Sequence, residues 1–179
     1  MKTALLVIDV QHGLCDGEHG AFESSDVIAR INRLSVKARA AGALVIFIQH
    51  ESTSDYLEFE TAAWQLADGL HTEPTDWRVR KTTPDSFHRT DLEEILKRHA
   101  VTGLVVCGMH TEFCVDTTTR RALALGYPVV LAEDAHTTNS NGVLSAAQII
   151  RHHNTTLANI GSFGPRVVTL STDHVHIGA

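Results

Sequence analysis

Apolar runs long enough for buried strands recur along the chain, and amphipathic stretches separate them. Residues 3–8 contain Ala4-Leu-Leu-Val-Ile8 and stop at Asp9, and residues 43–48 run from Ala43 to Ile48 into Gln49-His50-Glu51. A short third strand is predicted over 77–80, a fourth over 103–107, a fifth over 127–132 and a last over 166–170. Between them, apolar positions return at helical spacing. Asp26 is placed to cap a helix with inner face Val27, Ile31, Leu34 and Ala38, ending near Gly42. Asp91 opens another through Leu92, Ile95 and Leu96, and residues 143–158 form a further helix. The least regular part is 52–76, where Leu57, Phe59, Ala63, Trp64 and Leu66 suggest a helical stretch.

Strands apolar on both faces, alternating with helices, predict an α/β fold: a parallel sheet covered on both sides, in three layers. The chain has 179 residues, 43% of them hydrophobic, without repeat, linker or low-complexity segment, which predicts one domain over 1–179 with a single sizeable core.

The chemistry centres on residues 108–135. The strand at 103–107 breaks at Gly108, and helical spacing resumes through Val115, Thr119, Ala122 and Leu125 until Gly126. With Thr111 as N-cap, Cys114 falls in the first turn, over the positive end of the helix dipole. A thiol there is expected to ionise more easily than a free cysteine and to serve as a nucleophile; the alternative is a small buried hydrophobe. Asp9 and Lys81 each lie just past a predicted strand, at the edge where open α/β sheets bind ligands. Asp9 and Cys114 meet there if strands one and four are neighbours.

Twenty-one acidic and fifteen basic residues give a net charge of -6 with no basic cluster, so neither nucleic acid nor an anionic membrane is an expected partner. Cys15, Cys107 and Cys114 are odd in number and lack metal-type spacing, which predicts a reducing compartment rather than a disulfide framework. Met1-Lys-Thr leads straight into a strand without a signal-peptide layout, and no apolar run approaches membrane-spanning length, so the expected location is cytoplasmic.

Asp9 with Gln11 after the first strand, Lys81 before Thr-Thr-Pro-Asp-Ser-Phe87, and Gly108-Met-His-Thr-Glu-Phe-Cys114-Val with Thr118, Arg120 and Ala122 resemble the isochorismatase-like cysteine hydrolases, which include nicotinamidases and other small amidases. The resemblance covers nearly the whole chain. It implies a six-stranded parallel sheet of order 3-2-1-4-5-6 and a catalytic triad of Asp9, Lys81 and Cys114. It also implies attack by Cys114 on an amide to give a thioester, and an oxyanion hole of the His110 and Cys114 backbone amides beside a cis Met109–His110 peptide. The implied assembly is a homodimer or larger homo-oligomer.

The expected substrate pocket comprises Gln11, His50, Phe87, Met109 and His110, with Gln11 as a hydrogen-bond partner behind the reacting groups. Specificity is expected in residues 12–25, 50–76 and 110–113. Nicotinamidases carry an Asp-x-His pair after strand two and a further histidine for a divalent ion. This chain reads Gln49-His50-Glu51 with His71 alone downstream, so no metal or other cofactor is expected, and a small amide other than nicotinamide is the expected substrate. His152-His153 reads as surface or interface, Cys107 as core and Cys15 as incidental. Trp64 and Trp77 would close the site or join subunits. Two other functions stay open: vinyl ether hydrolysis of the isochorismatase type, and a catalytically silent binding or scaffold role. A Cys114 nucleophile argues against both.

Overall fold

A computed structural model describes residues 2–17, 20–53 and 56–178. Six parallel strands form one sheet in the order β3-β2-β1-β4-β5-β6: β1 Thr3–Ile8, β2 Leu44–His50, β3 Trp77–Lys81, β4 Gly103–Met109, β5 Val129–Thr137 and β6 Val167–Leu170. The helices are the single turn α1 (His12–Cys15), α2 (Ser24–Ala40), α3 (Leu92–Arg98), α4 (Asp116–Ala124, entered through a π-helical turn at Thr111–Val115) and α5 (Ala146–Ala158).

Alternation along the strands divides the core into two layers. Leu5 and Val7 of β1, with Val45, Phe47, Val105 and Cys107, face Val27, Ile31, Leu34 and Ala38 of α2. Ala4, Leu6 and Ile8, with Ile46, Ile48 and Val106, face α3 through Leu92, Ile95 and Leu96, α4 through Ala122 and Leu123, and α5 through Leu157. Every residue of β1 is buried, so each of its leucines, facing opposite layers, contributes about 1.5–3 kcal/mol of apolar burial.

The sheet places β1 between β2 and β4, and the chain switches direction across it, so the carboxyl ends of β1 and β4 open a crevice. Gly108 lets β4 run up to that crevice. Its φ is +117°, and a Cβ there would lie 2.1 Å from the Ile8 carbonyl oxygen of the neighbouring strand. The β4–β5 register also shifts between Val106 and Gly108.

Several elements depart from the sequence expectation. No helix forms over the described part of 52–76; residues 54 and 55 lie outside the described ones, as do 18 and 19 of the first loop. Instead the segment wraps over the end of β1, where the Ala63 and Gln65 carbonyls accept from Gly13 and His12 and the Trp64 carbonyl accepts from Gln11 and Gln49. Its apolar residues cover α1 rather than repeat along a helix. Strand β5 starts at Val129 and runs five residues past 132, because Ala135, His136 and Thr137 are buried in the sheet although the apolar run has ended. Helix α5 starts only after Ser145, whose hydroxyl accepts from the Gln148 amide while the Gln148 side chain accepts from the Ser145 amide, a reciprocal cap that leaves Val143 and Leu144 outside. Asp26 lies inside the first turn of α2, not at its cap. No helix among the described residues is long and apolar enough to cross a membrane.

Candidate active site

Three strand ends and one turn bring the reactive groups together. Asp9 follows β1 directly, in the left-handed region at φ +52°, a conformation aspartate tolerates better than most residues, and its amide donates to the Ile48 carbonyl at 2.8 Å. Lys81 is the last residue of β3 rather than the residue after it. From there its side chain crosses the end of β2, and Nζ lies 2.7 Å from Asp9 Oδ2, 3.1 Å from Cys114 Sγ and 3.1 Å from the Thr83 carbonyl. The three donors of the ammonium are thereby all engaged. Both ionic side chains are sealed from solvent, 0% and 1% exposed, a placement that is tolerable only because each neutralises the other.

Cys114 sits on the π-helical turn, not on a regular first turn capped by Thr111. His110 occupies the cap position in an extended conformation, without a side-chain cap, and the Met109–His110 peptide is cis. The Thr111 hydroxyl turns inward instead, to His136 Nδ1 at 2.9 Å, while His136 Nε2 lies 2.8 Å from Asn154 Oδ1. Asn154 Nδ2 donates to the Glu133 carbonyl, so its Oδ1 is the acceptor. His136 therefore carries its proton on Nε2 and accepts the Thr111 hydroxyl at Nδ1. Burial holds that imidazole neutral, down to about 4. This chain ties the turn that carries the thiol to β5 and α5.

The expected easy ionisation of Cys114 is overturned. Burial pushes its thiol up to about 12, and the Asp9 carboxylate adds to that, while Lys81 opposes it. Burial also works against the Lys81 charge, but Asp9 and Cys114 outweigh it and raise its pKa. Burial thus favours the neutral thiol at Cys114, next to the Asp9–Lys81 ion pair.

A cavity of about 200 Å³ opens onto this centre. Asp9, Cys114, His50 and His110 supply its chemistry, and Leu14, Ser52, Tyr56, Leu57 and Phe113 its walls. Burial lowers the pKa of both histidines, so both are neutral imidazoles. Of the residues expected in the pocket, His50 and His110 line it and three do not. Gln11 is fully buried and spends its amide on the chain: Nε2 donates to the His50 and Trp64 carbonyls at 3.0 and 2.8 Å, and Oε1 accepts from the His50 amide at 2.9 Å. It braces the end of β2 behind the site. Phe87 packs in the core, stacked on Tyr127 with centroids 6.3 Å apart. Met109 is buried against Cys15, whose thiol lies 3.6 Å from Met109 Sδ. The wall residues sequence reasoning did not name all fall in segments it marked for specificity, but no periodicity or motif singles them out.

Trp64 meets Phe59 edge to face, and Trp77 meets His99; neither lines the cavity. His152 and His153 meet edge to face along α5. Gln49, Glu51 and His71 do not converge as a ligand set: Gln49 donates to the Trp64 carbonyl, Glu51 pairs with Arg80, and His71 lies beside Asn32 and Arg39. Among the described residues, the only three ligand-type groups close together are Asp9, His50 and Cys114, within 4.8 Å of one another. The Lys81 ammonium already holds the cation's place between Asp9 and Cys114, so the residues do not fit a resident metal.

The carboxylate, ammonium and thiol thus stand at the switch point of a parallel α/β sheet. Residues 3–160 match the isochorismatase domain family, and the chain belongs to it, a family of hydrolases with amidases among them. It is 40% identical over 136 residues to a streptothricin hydrolase of Streptomyces noursei, a match covering 75% of this chain and 49% of that protein. A second streptothricin hydrolase matches over 54% of its length, so the chain spans about half the length of these relatives. YecD of Escherichia coli O157:H7, an uncharacterized isochorismatase family protein, is 31% identical over 92% of this chain and 89% of its own. A crystal structure of an isochorismatase family protein superposes with a TM-score of 0.86 at 39% identity, over 94% of this chain and 98% of that one.

Proposed function

We propose that the chain is a thiol amidohydrolase that cleaves the C–N bond of a small amide through a thioester on Cys114. The observation that carries this reading is Lys81 Nζ, held between Asp9 at 2.7 Å and Cys114 at 3.1 Å beside an open cavity. Asp9 takes the thiol proton as sulfur attacks the carbonyl carbon, and the carbonyl electron pair moves onto oxygen. The backbone amides of His110 and Cys114 donate to that oxyanion; one such donor is typically worth roughly a hundredfold or more in rate. Collapse breaks the C–N bond, and protonated Asp9 returns its proton to the departing nitrogen, releasing ammonia or an amine. Asp9 then takes a proton from water as its oxygen attacks the thioester. The sulfur leaves, recovers its proton from Asp9, and the acid departs.

With the thiol held near 12, its proton must leave as the sulfur attacks, so the scheme needs a base beside it, the role given to Asp9. Lys81 keeps the Asp9 proton shuttle and the sulfur in one frame.

The test is ammonia release from a panel of small amides, with streptothricin included because of the relatives' activity. Intact-mass spectrometry alongside should find an acyl adduct on Cys114 at short times. Cys114→Ala should abolish turnover with an unchanged melting temperature; full activity in that variant overturns the mechanism.

A further inference from the structure

We propose that His136 and Asn154 are positioning residues: through the Thr111 hydroxyl they hold the turn that carries Cys114, so that the His110 and Cys114 amides converge on the oxyanion. This rests on the amidase reading and adds to it two residues that do not line the cavity over Cys114.

The turn is weakly held by its own backbone. The His110 carbonyl accepts from the Phe113 and Val115 amides at 3.2 Å each, the long end of the range for such bonds, and no side chain caps the turn. Its π-helical form is one that proteins use mostly in single turns and often at functional sites. Thr111 follows His110 directly and precedes Cys114 by three residues, so one bond from its hydroxyl restrains both amides.

An irregularity in the sheet delivers the partner of that hydroxyl. Val106 pairs with Leu131 and Gly108 with His136, so β5 runs from Leu131 to His136 while β4 moves on only to Gly108. The extra residues of β5 bulge out, and a bulge beside a site re-aims the side chain that follows it. Side chains from three other parts of the chain pin the bulge. Asn154 Nδ2 donates to the Glu133 carbonyl at 3.0 Å, Arg30 donates to the Asp134 carbonyl at 3.3 Å, and the Asp134 carboxylate accepts from the Thr172 amide and hydroxyl. His136 is thereby set level with Gly108, within reach of Thr111.

Packing alone does not account for these residue types. Thr111 and His136 are both sealed from solvent, where valine and leucine would fill similar space with no polar group to satisfy. What the polar chain adds is direction. Asn154 Nδ2 is fixed on the Glu133 carbonyl, so Oδ1 faces His136 Nε2–H, and Nδ1 is left to accept the Thr111 hydroxyl. Every link has one polarity, and burial, which keeps the ring neutral, keeps Nδ1 an acceptor.

The experiment compares two reagents on Cys114 at one fixed pH, with the modified peptide identified by mass spectrometry. Acylation by p-nitrophenyl acetate passes through a tetrahedral oxyanion and alkylation by iodoacetamide does not, so the ratio of the two rates reads the oxyanion amides apart from the ionisation of the thiol. Thr111→Val, His136→Leu and Asn154→Leu should each lower that ratio by roughly tenfold or more, part of the roughly hundredfold that a lost oxyanion donor costs. Thr111→Ser keeps the hydroxyl and His136→Asn keeps an acceptor near the place of Nδ1, so both should stay within about threefold of the unaltered protein, against the roughly hundredfold cost of a lost donor. Thr111→Val preserves the buried shape and carries the test if His136→Leu fails to fold. A merely structural role would move both reagents together, so an unchanged ratio in Thr111→Val overturns the proposal, as does ring-nitrogen NMR that finds His136 protonated on Nδ1. In either case a raised ratio in the unaltered protein leaves the amidase reading standing. A ratio in the unaltered protein no higher than that of glutathione means that no oxyanion hole forms, and the amidase reading falls together with the positioning role.

Discussion

Replacing Asp9 by asparagine should separate thiol reactivity from turnover in opposite directions. With its thiol at about 12, Cys114 holds on the order of one part in 10⁵ as thiolate at pH 7. The Asp9 carboxylate lies within 4.8 Å of the sulfur and raises that value. At an effective dielectric of about 20, a unit charge at that distance acts with roughly 3 kcal/mol, or a few hundredfold in thiolate population. Part of the gain is offset because a less basic thiolate is a weaker nucleophile, with a Brønsted slope of about 0.4–0.5. The net expectation for iodoacetamide at pH 7 is alkylation of Asp9→Asn on the order of twentyfold faster than the unaltered protein. Amide turnover should fall by roughly 10²–10⁴, because the base that takes the thiol proton is gone.

The assay is the pH-rate profile of alkylation from pH 6 to 10, with the labelled peptide identified by mass spectrometry. The unaltered protein should label slowly at neutral pH, its rate climbing about tenfold per pH step across the range. The double variant Asp9→Asn/Lys81→Ala should label slowly again, because Lys81 is the charge that favours the thiolate. Fast neutral labelling of the unaltered protein, with a plateau near pH 7, would mean a preformed ion pair and would refute the reasoning. So would an Asp9→Asn variant that labels no faster.

Other perturbations follow from the same geometry. Lys81→Met leaves Asp9 buried without its cation and should cost about 3–5 kcal/mol in urea unfolding, beyond its loss of activity. Gly108→Ala sets a Cβ 2.1 Å from the Ile8 carbonyl at positive φ and should cost at least about 3 kcal/mol or abolish soluble expression. Gln11→Leu strips the brace from His50 and should raise KM while leaving the alkylation profile of Cys114 in place. His136 is held down to about 4 when folded against 6.5 ordinarily, so between those values the unfolded chain binds more protons. Stability should therefore fall as pH drops from 6.5 toward 4, by about 3 kcal/mol from this group, and His136→Asn should flatten that slope in urea titrations.

The sheet was legible because its strands are buried on both faces, and a residue such as Leu5 or Leu6 reads as core whichever side it takes. Where burial came with polarity, the reading stopped early. Glu133 and Asp134 end the apolar run, yet β5 continues because Asp134 Oδ1 accepts from the Thr172 amide and hydroxyl, at 2.8 and 2.7 Å, and His136 finds Thr111 and Asn154. The same loss of signal explains 52–76. Trp64 and Ala63 matter there through their carbonyls, which any residue possesses, so side-chain spacing carries no information about them.

At the site, residue types were readable and their electrical state was not. A cysteine just after a strand and turn suggests dipole assistance from local sequence alone. What decides its ionisation is burial, followed by a carboxylate 105 positions earlier at the end of β1 and an ammonium from β3 that reaches over β2. Those contributions depend on distances of 3–5 Å among three separate strand ends, set by sheet order and register rather than by neighbours in the chain. The consequence is mechanistic. A local reading of the turn predicts a thiol that ionises easily, whereas in the assembled site burial favours the protonated thiol, and the proposed mechanism couples its ionisation to Asp9. Asp9 and Cys114 then act as one unit, so losing either should cost nearly as much activity as losing both. A double variant whose rate loss is the product of the single losses would show that the two residues work independently.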